Sequence, residues 1–144
     1  MNGCIGLDTN VLARYYVESA TDDVAERRQC AAARQLLESG RRLAVCKTVL
    51  LELEWVLRGY YGYTPAEIAL AFTHLLAQPH IEVEDRARVD QAMRNYASGL
   101  DFADALHHAS YAECEQMASF DDHGFARRAK RLGLSPPDAP SGWG

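Results

Sequence analysis

The chain predicts an α/β fold, and two patterns in its 144 residues indicate this. Short apolar runs alternate with longer segments of helical periodicity, which is typical of a domain built on a mainly parallel sheet. Acidic residues directly follow some of the short runs, where the carboxyl ends of parallel strands gather at one edge. We therefore expect a three-layer α/β/α sandwich with a mainly parallel sheet of about four to five strands.

The individual elements follow from this alternation. The strand candidates are residues 4–7, 43–46, 81–83 and 116–120. The helix candidates are residues 11–17, 22–38, 48–58, 65–77, 86–97, 102–113 and 125–132. Thr64 followed by Pro65 is typical of a helix start, and four glycines stand where helices are expected to end: Gly40, Gly59, Gly99 and Gly133.

Length and composition predict one globular domain. At 144 residues the chain can bury a hydrophobic core, and we expect a single domain over residues 1–134 with a proline- and glycine-rich tail over 135–144. No apolar run approaches the roughly 18 residues of a membrane span, and no signal peptide is recognisable. We expect a cytoplasmic protein that does not bind a membrane.

The cysteines and the net charge limit which metal sites, disulfides and partners we expect. The four cysteines form no C-x-x-C pair, so we expect reduced and mostly buried thiols rather than a disulfide scaffold or a structural zinc site. The net charge of -5 argues against a general attraction to nucleic acid. A divalent cation held among acidic side chains would reverse that local charge.

Three aspartates are expected to meet at one edge of the sheet. Asp8 and Asp121 each follow a predicted strand, and Asp104 lies in the first turn of the predicted helix 102–113. Residues just after parallel strands converge on a shared crevice. Carboxylate oxygens gathered in this way suit a hard divalent cation.

A glutamate on a predicted helix extends this cluster. On a helical wheel Glu52 lies beside Val49 and Val56, on or next to the apolar face, whereas Glu54 points to the far side. A carboxylate on the buried side of a helix needs a partner, because an isolated buried charge is very costly. A cation bound by Glu52 and the aspartates would supply that partner.

Each acid also has a purely structural interpretation. Asp8 would cap the first helix, Asp101 and Asp104 resemble a capping box, and Asp121 would cap the last helix. Capping explains each aspartate when it is taken alone. It does not explain Glu52, so we favour a common site.

Five residues near the acids are candidates for orienting them or for binding substrate. Asn10, Thr48 and Ser119 are placed to hydrogen-bond the carboxylates or a phosphate, and helix capping is their alternative role. Arg14 and Arg127 would hold phosphates beside the acidic pocket. Their alternative is a place on a solvated helix face.

Histidines and tyrosines are weaker candidates. Since His107 and His108 are adjacent, they diverge by about 100° on a helix, and we expect one to be buried and one exposed. No histidine spacing indicates zinc. Several tyrosines would be able to stack on bases, although a core or interface position is more common for such residues. These are Tyr15, Tyr16, Tyr60, Tyr61 and Tyr63.

Four motifs occur in a fixed order along the chain. They are Leu7-Asp8-Thr9-Asn10-Val11-Leu12, Val49-Leu50-Leu51-Glu52-Leu53 with Trp55-Val56-Leu57-Arg58, Asp101-Phe102-Ala103-Asp104-Ala105, and Ser119-Phe120-Asp121. With these motifs the chain resembles PIN-domain proteins, and more narrowly the VapC-type toxins of bacterial type II toxin-antitoxin pairs. The resemblance runs from about residue 4 to about residue 131. An ordered set of motifs is more specific than any one of them.

The resemblance implies a ribonuclease that depends on Mg²⁺ or Mn²⁺ and hydrolyses RNA phosphodiester bonds, which would inhibit translation and growth. Asp8, Glu52, Asp104 and Asp121 would be its catalytic acids, the three aspartates as direct ligands and Glu52 through water. Asp101 matches a frequent additional acid of the family. Asp122 also stands beside the last motif and would replace or assist its neighbour. The family expectation is products with 5′-phosphate and 3′-hydroxyl ends.

The resemblance also implies partners. These are an RNA substrate, a homodimeric twin subunit, and a small VapB-like antitoxin whose C-terminal segment crosses the acidic pocket. Which RNA is cut does not follow, since family members differ in their targets while sharing the site.

Three other functions compete with this interpretation. A haloacid-dehalogenase-like phosphatase requires a second aspartate where Asn10 stands, and a receiver-like domain requires a lysine after a late strand. The stronger alternative is a catalytically silent PIN-like module that binds RNA or a partner. A missing acid would favour that module, and all four acids are present.

Overall fold

The computed structural model describes residues 1–18, 21–120 and 132–137. The chain divides into two compact units, Met1–Asp85 and Arg86–Gly144, here called unit 1 and unit 2. The predicted boundary between a domain over 1–134 and a tail over 135–144 stays a prediction.

Unit 1 is a parallel sheet flanked by helices. Its strands are β1 (Ile5–Gly6), β2 (Leu43–Val45) and β3 (Ile81–Val83). Its helices are α1 (Thr9–Tyr16), α2 (Val24–Leu37), α3 (Lys47–Trp55) and α4 (Pro65–Ala77), with a π-helical turn at Val56–Tyr60 that continues α3. The strands lie in the order β1-β2-β3 and both pairs are parallel. The predicted α/β fold with a parallel sheet is confirmed.

Strand β2 is the centre of the sheet and is buried along its whole length. Leu43 pairs with Ile5 on one side and with Ile81 on the other. The run Leu43-Ala44-Val45 is apolar at every position, as expected for a strand covered on both faces. Because all three strands run in the same direction, their carboxyl ends share one edge.

The sheet has fewer strands than predicted: the described ranges contain three. Residues 116–120 form no strand, and only Met117 makes an isolated bridge, in which its N–H donates to the Pro137 carbonyl at 3.0 Å. This segment contains no β-branched residue, the type of residue that is enriched in strands.

Helix α4 has the predicted bounds, 65–77. Thr64 Oγ1 accepts a hydrogen bond from the Glu67 N–H at 3.2 Å, and Glu67 Oε1 accepts one from the Thr64 N–H at 3.0 Å. This reciprocal capping box satisfies two backbone donors that a helix start otherwise leaves exposed. Ile68, Phe72 and Leu75 form the buried stripe of the helix, with the spacing expected of an amphipathic helix.

Unit 2 contains α5 (Arg86–Ala97) and α6 (Phe102–Ser110), which pack against each other. The rings of Tyr96 and Phe102 meet edge to face with 5.5 Å between their centroids. Helix α5 has the predicted bounds, whereas α6 ends before the predicted residue 113. The predicted helix 125–132 lies outside the described residues, apart from Leu132.

The first prolines of the predicted tail contact other residues of unit 2. Pro136 is buried, and its carbonyl lies 2.6 Å from His108 Nε2. Residues 138–144 are outside the described ranges.

Two further predictions concern the state of the cysteines and the absence of a membrane-spanning helix. All four cysteines are free, as predicted. The expectation that most are buried is wrong, since three are half-buried and Cys114 is exposed. Across the described ranges, every helix falls short of the length and apolar character that a membrane span requires.

Candidate functional site

Asp8 lies directly beyond β1, at the edge of the sheet where the sequence placed it. Its Oδ1 accepts a hydrogen bond from the Thr9 N–H at 2.8 Å, so Asp8 is the N-cap of α1. Asp8 therefore caps α1, as its structural interpretation expected, and it is also exposed to solvent. An exposed carboxylate at this edge retains the chemistry needed to bind a cation.

The two glutamates of α3 differ from the prediction in which of them is buried. Glu52 is exposed, whereas Glu54 is buried with 3% of its surface accessible. The buried face of the helix passes through Leu50, Leu53 and Leu57, and position 54 belongs to it at the helical spacing i, i+3, i+4, i+7. The predicted face through Val49 and Val56 was wrong, because it ignored this stronger leucine stripe.

Glu54 forms an ion pair with Arg58. Arg58 Nε donates to Glu54 Oε2 at 2.9 Å and Arg58 Nη2 donates to Glu54 Oε1 at 3.4 Å. The four-residue spacing of a glutamate and an arginine indicates such a pair. The sequence analysis missed it because Glu54 was assigned to the exposed side.

Glu52 lines a cleft of about 290 Å³ in unit 1. The residues around it come from α1, from α3 and from the π-helical turn with the residue that follows it. They are Thr9, Asn10, Ala13, Arg14, Glu52, Trp55, Val56, Tyr60 and Tyr61. Three predicted site residues, Asn10, Arg14 and Glu52, therefore share this cleft. Thr9 also lines it, and its N–H donates to Asp8.

Trp55 was not among the predicted site residues, whereas Tyr60 and Tyr61 were considered for base stacking, with a core or interface position as the more common role. Glu52, Trp55 and Val56 have the spacing i, i+3, i+4, which places them on one helical face. From that spacing, Trp55 could have been predicted to lie on the same side of the helix as Glu52. Tyr60 and Tyr61 reach the cleft through the π-helical turn, which sequence periodicity did not predict.

Arg14 of α1 bonds both to Tyr61 and to α2. Its Nη1 donates to Tyr61 Oη at 3.3 Å, and its Nε donates to Gln29 Oε1 at 3.2 Å. With Asn10 it also lines a second cleft, of about 280 Å³, between α1 and α2. Thr48 is exposed in the first turn of α3 and lies 3.2 Å from Cys46 Sγ through its Oγ1. Thr48 is not among the residues that line the Glu52 cleft.

Two further acids follow β3, and the sequence analysis did not consider them. Glu84 Oε1 accepts a hydrogen bond from the Lys47 N–H at 2.9 Å, and Asp85 Oδ2 pairs with Lys47 Nζ at 2.8 Å. The strand-end argument applied to Asp8 would also have found them. Their contacts show a structural role, which is to hold the start of α3 against the end of β3.

In unit 2, Asp101 and Asp104 both belong to the start of α6. Asp101 is the N-cap, and its Oδ2 accepts a hydrogen bond from the Asp104 N–H at 3.3 Å. Asp104 is half-buried in the first turn, where the sequence placed it. Ser119 is half-buried beyond the Met117 bridge.

The adjacent histidines follow the prediction. His108 is fully buried and His107 is exposed. His108 Nε2 lies 2.6 Å from the Pro136 carbonyl oxygen, so the buried imidazole joins α6 to the segment after residue 132. This placement gives His108 a structural role rather than a ligand role.

The remaining residues of the predicted acidic cluster lie in a part of the chain that the structure does not describe. Asp121, Asp122 and Arg127 lie outside the described residues. Within the ranges 1–18, 21–120 and 132–137, no three histidine, cysteine, aspartate or glutamate side chains come together as a metal-binding group. The donors described in unit 1, Asp8 and Glu52, are oxygen ligands of the kind that Mg²⁺ and Mn²⁺ prefer.

Comparison with known proteins identifies the family. The PIN-domain family model matches residues 5–131, which includes both units and all four predicted catalytic acids. No curated protein and no solved structure matches the chain. The match covers most of the 144 residues, and the chain is therefore a member of the PIN-domain family.

Proposed function

We propose that this PIN-domain protein is a metal-dependent endoribonuclease, the toxin of a VapBC-type toxin-antitoxin pair. The observation that carries the proposal is the site in unit 1: Asp8 stands at the carboxyl end of β1, and Glu52 shares a cleft with Asn10 and Arg14. Membership of the PIN family supports nuclease chemistry. The toxin role rests on the resemblance of the ordered motifs to VapC proteins.

The proposed cofactor is Mg²⁺ or Mn²⁺. Asp8, Asp104 and Asp121 would hold it directly, Glu52 through water, and Asp101 is a further candidate ligand. When bound, such a cation supplies Lewis-acid polarisation of the scissile phosphate and a bound water of lowered pKa. The exposed carboxylates of Asp8 and Glu52 suit this role, because a hard cation takes oxygen ligands.

The other residues would bind and orient the RNA. Glu52 would accept a hydrogen bond from the attacking water and hold it in line with the scissile bond. Asn10 would donate to a phosphate oxygen or to Asp8, and the guanidinium of Arg14 would offset the phosphate charge. Thr48 and Ser119 would orient neighbouring carboxylates, and Arg127 would contact a second phosphate.

The proposal includes partners and a location. We propose that the protein forms a homodimer in the cytoplasm and that a VapB-like antitoxin inhibits it by crossing the acidic pocket. Expression alone should arrest growth, and co-expression of the neighbouring antitoxin gene should restore it. Unhindered growth on expression of folded protein would contradict the toxin role and leave the nuclease proposal standing.

Cleavage of pooled cellular RNA by the purified chain tests the nuclease proposal. We expect cuts at few sites with Mg²⁺ or Mn²⁺ and none with EDTA. Sequencing of the products should give 5′-phosphate ends and should name the substrate. Cutting that persists undiminished in EDTA would contradict the metal dependence.

The alternative is a catalytically silent PIN-like module that binds RNA or a protein partner. The observation that favours it is that Asp8 and Asp101 each use a carboxylate oxygen to cap a helix. Intact folded protein that binds RNA but cuts none with either cation would support this alternative.

A further inference from the structure

The cleft beside Glu52 carries two large aromatic side chains that solvent reaches. Trp55 is 62% exposed and Tyr60 is 77% exposed. Together with Tyr61 they line the cleft, and these three side chains are called here the aromatic wall. Exposed apolar surface of this kind commonly marks a binding site, and flat rings favour a ligand that also has a flat face.

Contacts within unit 1 hold two residues of the aromatic wall, Tyr60 and Tyr61, in place. The Tyr61 N–H donates to the Val56 carbonyl at 3.2 Å across the π-helical turn, and Arg14 Nη1 donates to Tyr61 Oη at 3.3 Å. The rings of Tyr60 and Tyr61 meet edge to face at 4.8 Å between centroids. A preordered wall loses little conformational entropy on binding, and π-helical turns occur frequently at functional sites.

The size and charge of the cleft indicate what it binds. Its volume of about 290 Å³ is at the lower end for small-molecule sites. Among its lining residues, all of which are described, Arg14 is the one cation and Glu52 the one anion, so their formal charges cancel. A neutral planar ring leaves this balance unchanged. The Asn10 amide offers both a donor and an acceptor for the polar edge of such a ring.

We propose that this cleft binds one unpaired base of a single-stranded RNA, stacked on Trp55 and Tyr60. The inference rests on the proposed function, since the base would belong to the RNA that is cut. Bases in a duplex are stacked on both faces and are not available to side chains, whereas unpaired bases can be splayed out onto aromatic rings. Because Glu52 lines the same cleft, the bound base would lie next to the site of cleavage.

Fluorescence of a short single-stranded oligoribonucleotide that carries 2-aminopurine tests the proposal. The probe is titrated with the full chain in EDTA, and stacking of the modified base should quench its emission. Trp55→Ala and Tyr60→Ala should each raise Kd about 5- to 150-fold, which is the range expected for loss of one base-stacking aromatic. Tyr60→Phe keeps the ring and should bind within about twofold of the wild type.

Leu70→Ala is the matched control, because Leu70 is a 72% exposed side chain of unit 1 that lies outside the cleft lining. Its Kd should equal that of the wild type. Thermal unfolding followed by circular dichroism should show all four variants folded, since the substituted side chains are exposed. Unchanged Kd in both alanine variants, equal affinity for duplex RNA, or no binding of the probe would overturn the proposal.

Binding in EDTA separates this proposal from the nuclease proposal. Quenching that Trp55→Ala and Tyr60→Ala abolish, in a protein that cuts no RNA with Mg²⁺ or Mn²⁺, would support the base cleft and contradict the nuclease. Cation-dependent cutting with unchanged binding in both variants would support the nuclease and contradict the base cleft.

Discussion

Glu52 and Glu54 stand two positions apart on α3 and differ in how much of each side chain solvent reaches. Glu52 is exposed in the cleft, whereas Glu54 is buried and paired with Arg58. Sequence reasoning selected Glu52 because it assumed that this carboxylate was on the apolar side. The residue selected still lines the candidate site, but the physical reason given for it does not hold.

This difference predicts unequal effects on stability. Glu54→Gln should lower the free energy of unfolding by about 1–3 kcal/mol, because the amide removes the negative charge and puts an NH2 donor where one of the two acceptor oxygens faces Arg58. Glu52→Gln should change it by less than about 0.5 kcal/mol, as for other exposed positions. Urea unfolding of both variants measures this. Equal destabilisation of the two would contradict the assignment of the buried face.

The adjacent histidines give a second prediction at the residue scale. His108→Ala should destabilise the protein by about 2 kcal/mol or more, because it leaves a cavity and removes the imidazole beside the Pro136 carbonyl. His107→Ala should stay within about 0.5 kcal/mol of the wild type. Thermal unfolding of the two variants measures this difference. Greater destabilisation by His107→Ala than by His108→Ala would contradict the structure.

At the scale of elements, the sequence predicted best where local chemistry determines the structure. Helix α4 begins with a capping box and a proline, and its predicted bounds are confirmed. Strand β3, predicted at 81–83, is also confirmed. Prediction failed at 116–120, where an apolar run alone indicated a strand. Strand pairing depends on which other segment lies next to residues 116–120, and the local pattern of these residues does not contain that information.

The π-helical turn at Val56–Tyr60 was also beyond prediction. Residues 48–58 have continuous helical periodicity, and Gly59 predicts that the helix ends there rather than that it widens into a π-helical turn. The turn appears where Arg58 pairs with the buried Glu54 and where Tyr61 meets Arg14. The contact between Arg58 and Glu54 is local, at the spacing i, i+4. The contact between Arg14 and Tyr61, in contrast, joins residues far apart in the sequence, which local propensity does not anticipate.

The capping box of α4 predicts a dependence of stability on pH. Hydrogen bonds with Thr64 hold the pKa of Glu67 below its usual value. A lowered carboxyl pKa contributes stability above the unfolded pKa, near about 4.3, and this contribution is lost as pH falls through the folded pKa. Unfolding from pH 7 to pH 3 should therefore show a smaller loss of stability in Glu67→Gln than in the wild type.

The exposed acid Glu115 supplies the control for that series. Glu115→Gln should follow the wild-type curve, since Glu115 has no capping role. A Glu67→Gln curve that coincides with the wild type across the acidic range would show that the capping box does not contribute to stability through this carboxylate.

At the scale of the whole molecule, the sequence predicted the fold class and the family. The ordered motifs indicated a PIN domain from about residue 4 to about residue 131, and the family model matches residues 5–131. Periodicity is sufficient for the fold class, because alternation of strands and helices indicates an α/β fold, whereas the family required the ordered motifs. The aromatic wall was not predicted, since it depends on α1 meeting α3 and the residues of the π-helical turn.

The proposed homodimer gives a prediction for the assembled molecule. The chain has a mass of 16.0 kDa, and light scattering of the eluted protein should give twice that value. Dilution should shift the mass toward that of one chain, because association depends on concentration. A mass of one chain at every concentration would contradict the dimer and leave the site unaffected.

The nuclease proposal is tested most directly by the rate at which the Asp8→Asn variant cleaves RNA. Asparagine is as good an N-cap as aspartate, so the fold of α1 should be retained while a ligand carboxylate is lost. We predict a rate at least about 100-fold below the wild type with Mg²⁺ or Mn²⁺, since even residues behind metal ligands contribute up to that factor. The control Asp22→Asn, at an exposed acid before α2, should cut at the wild-type rate. Cleavage by folded Asp8→Asn at the wild-type rate would contradict the account.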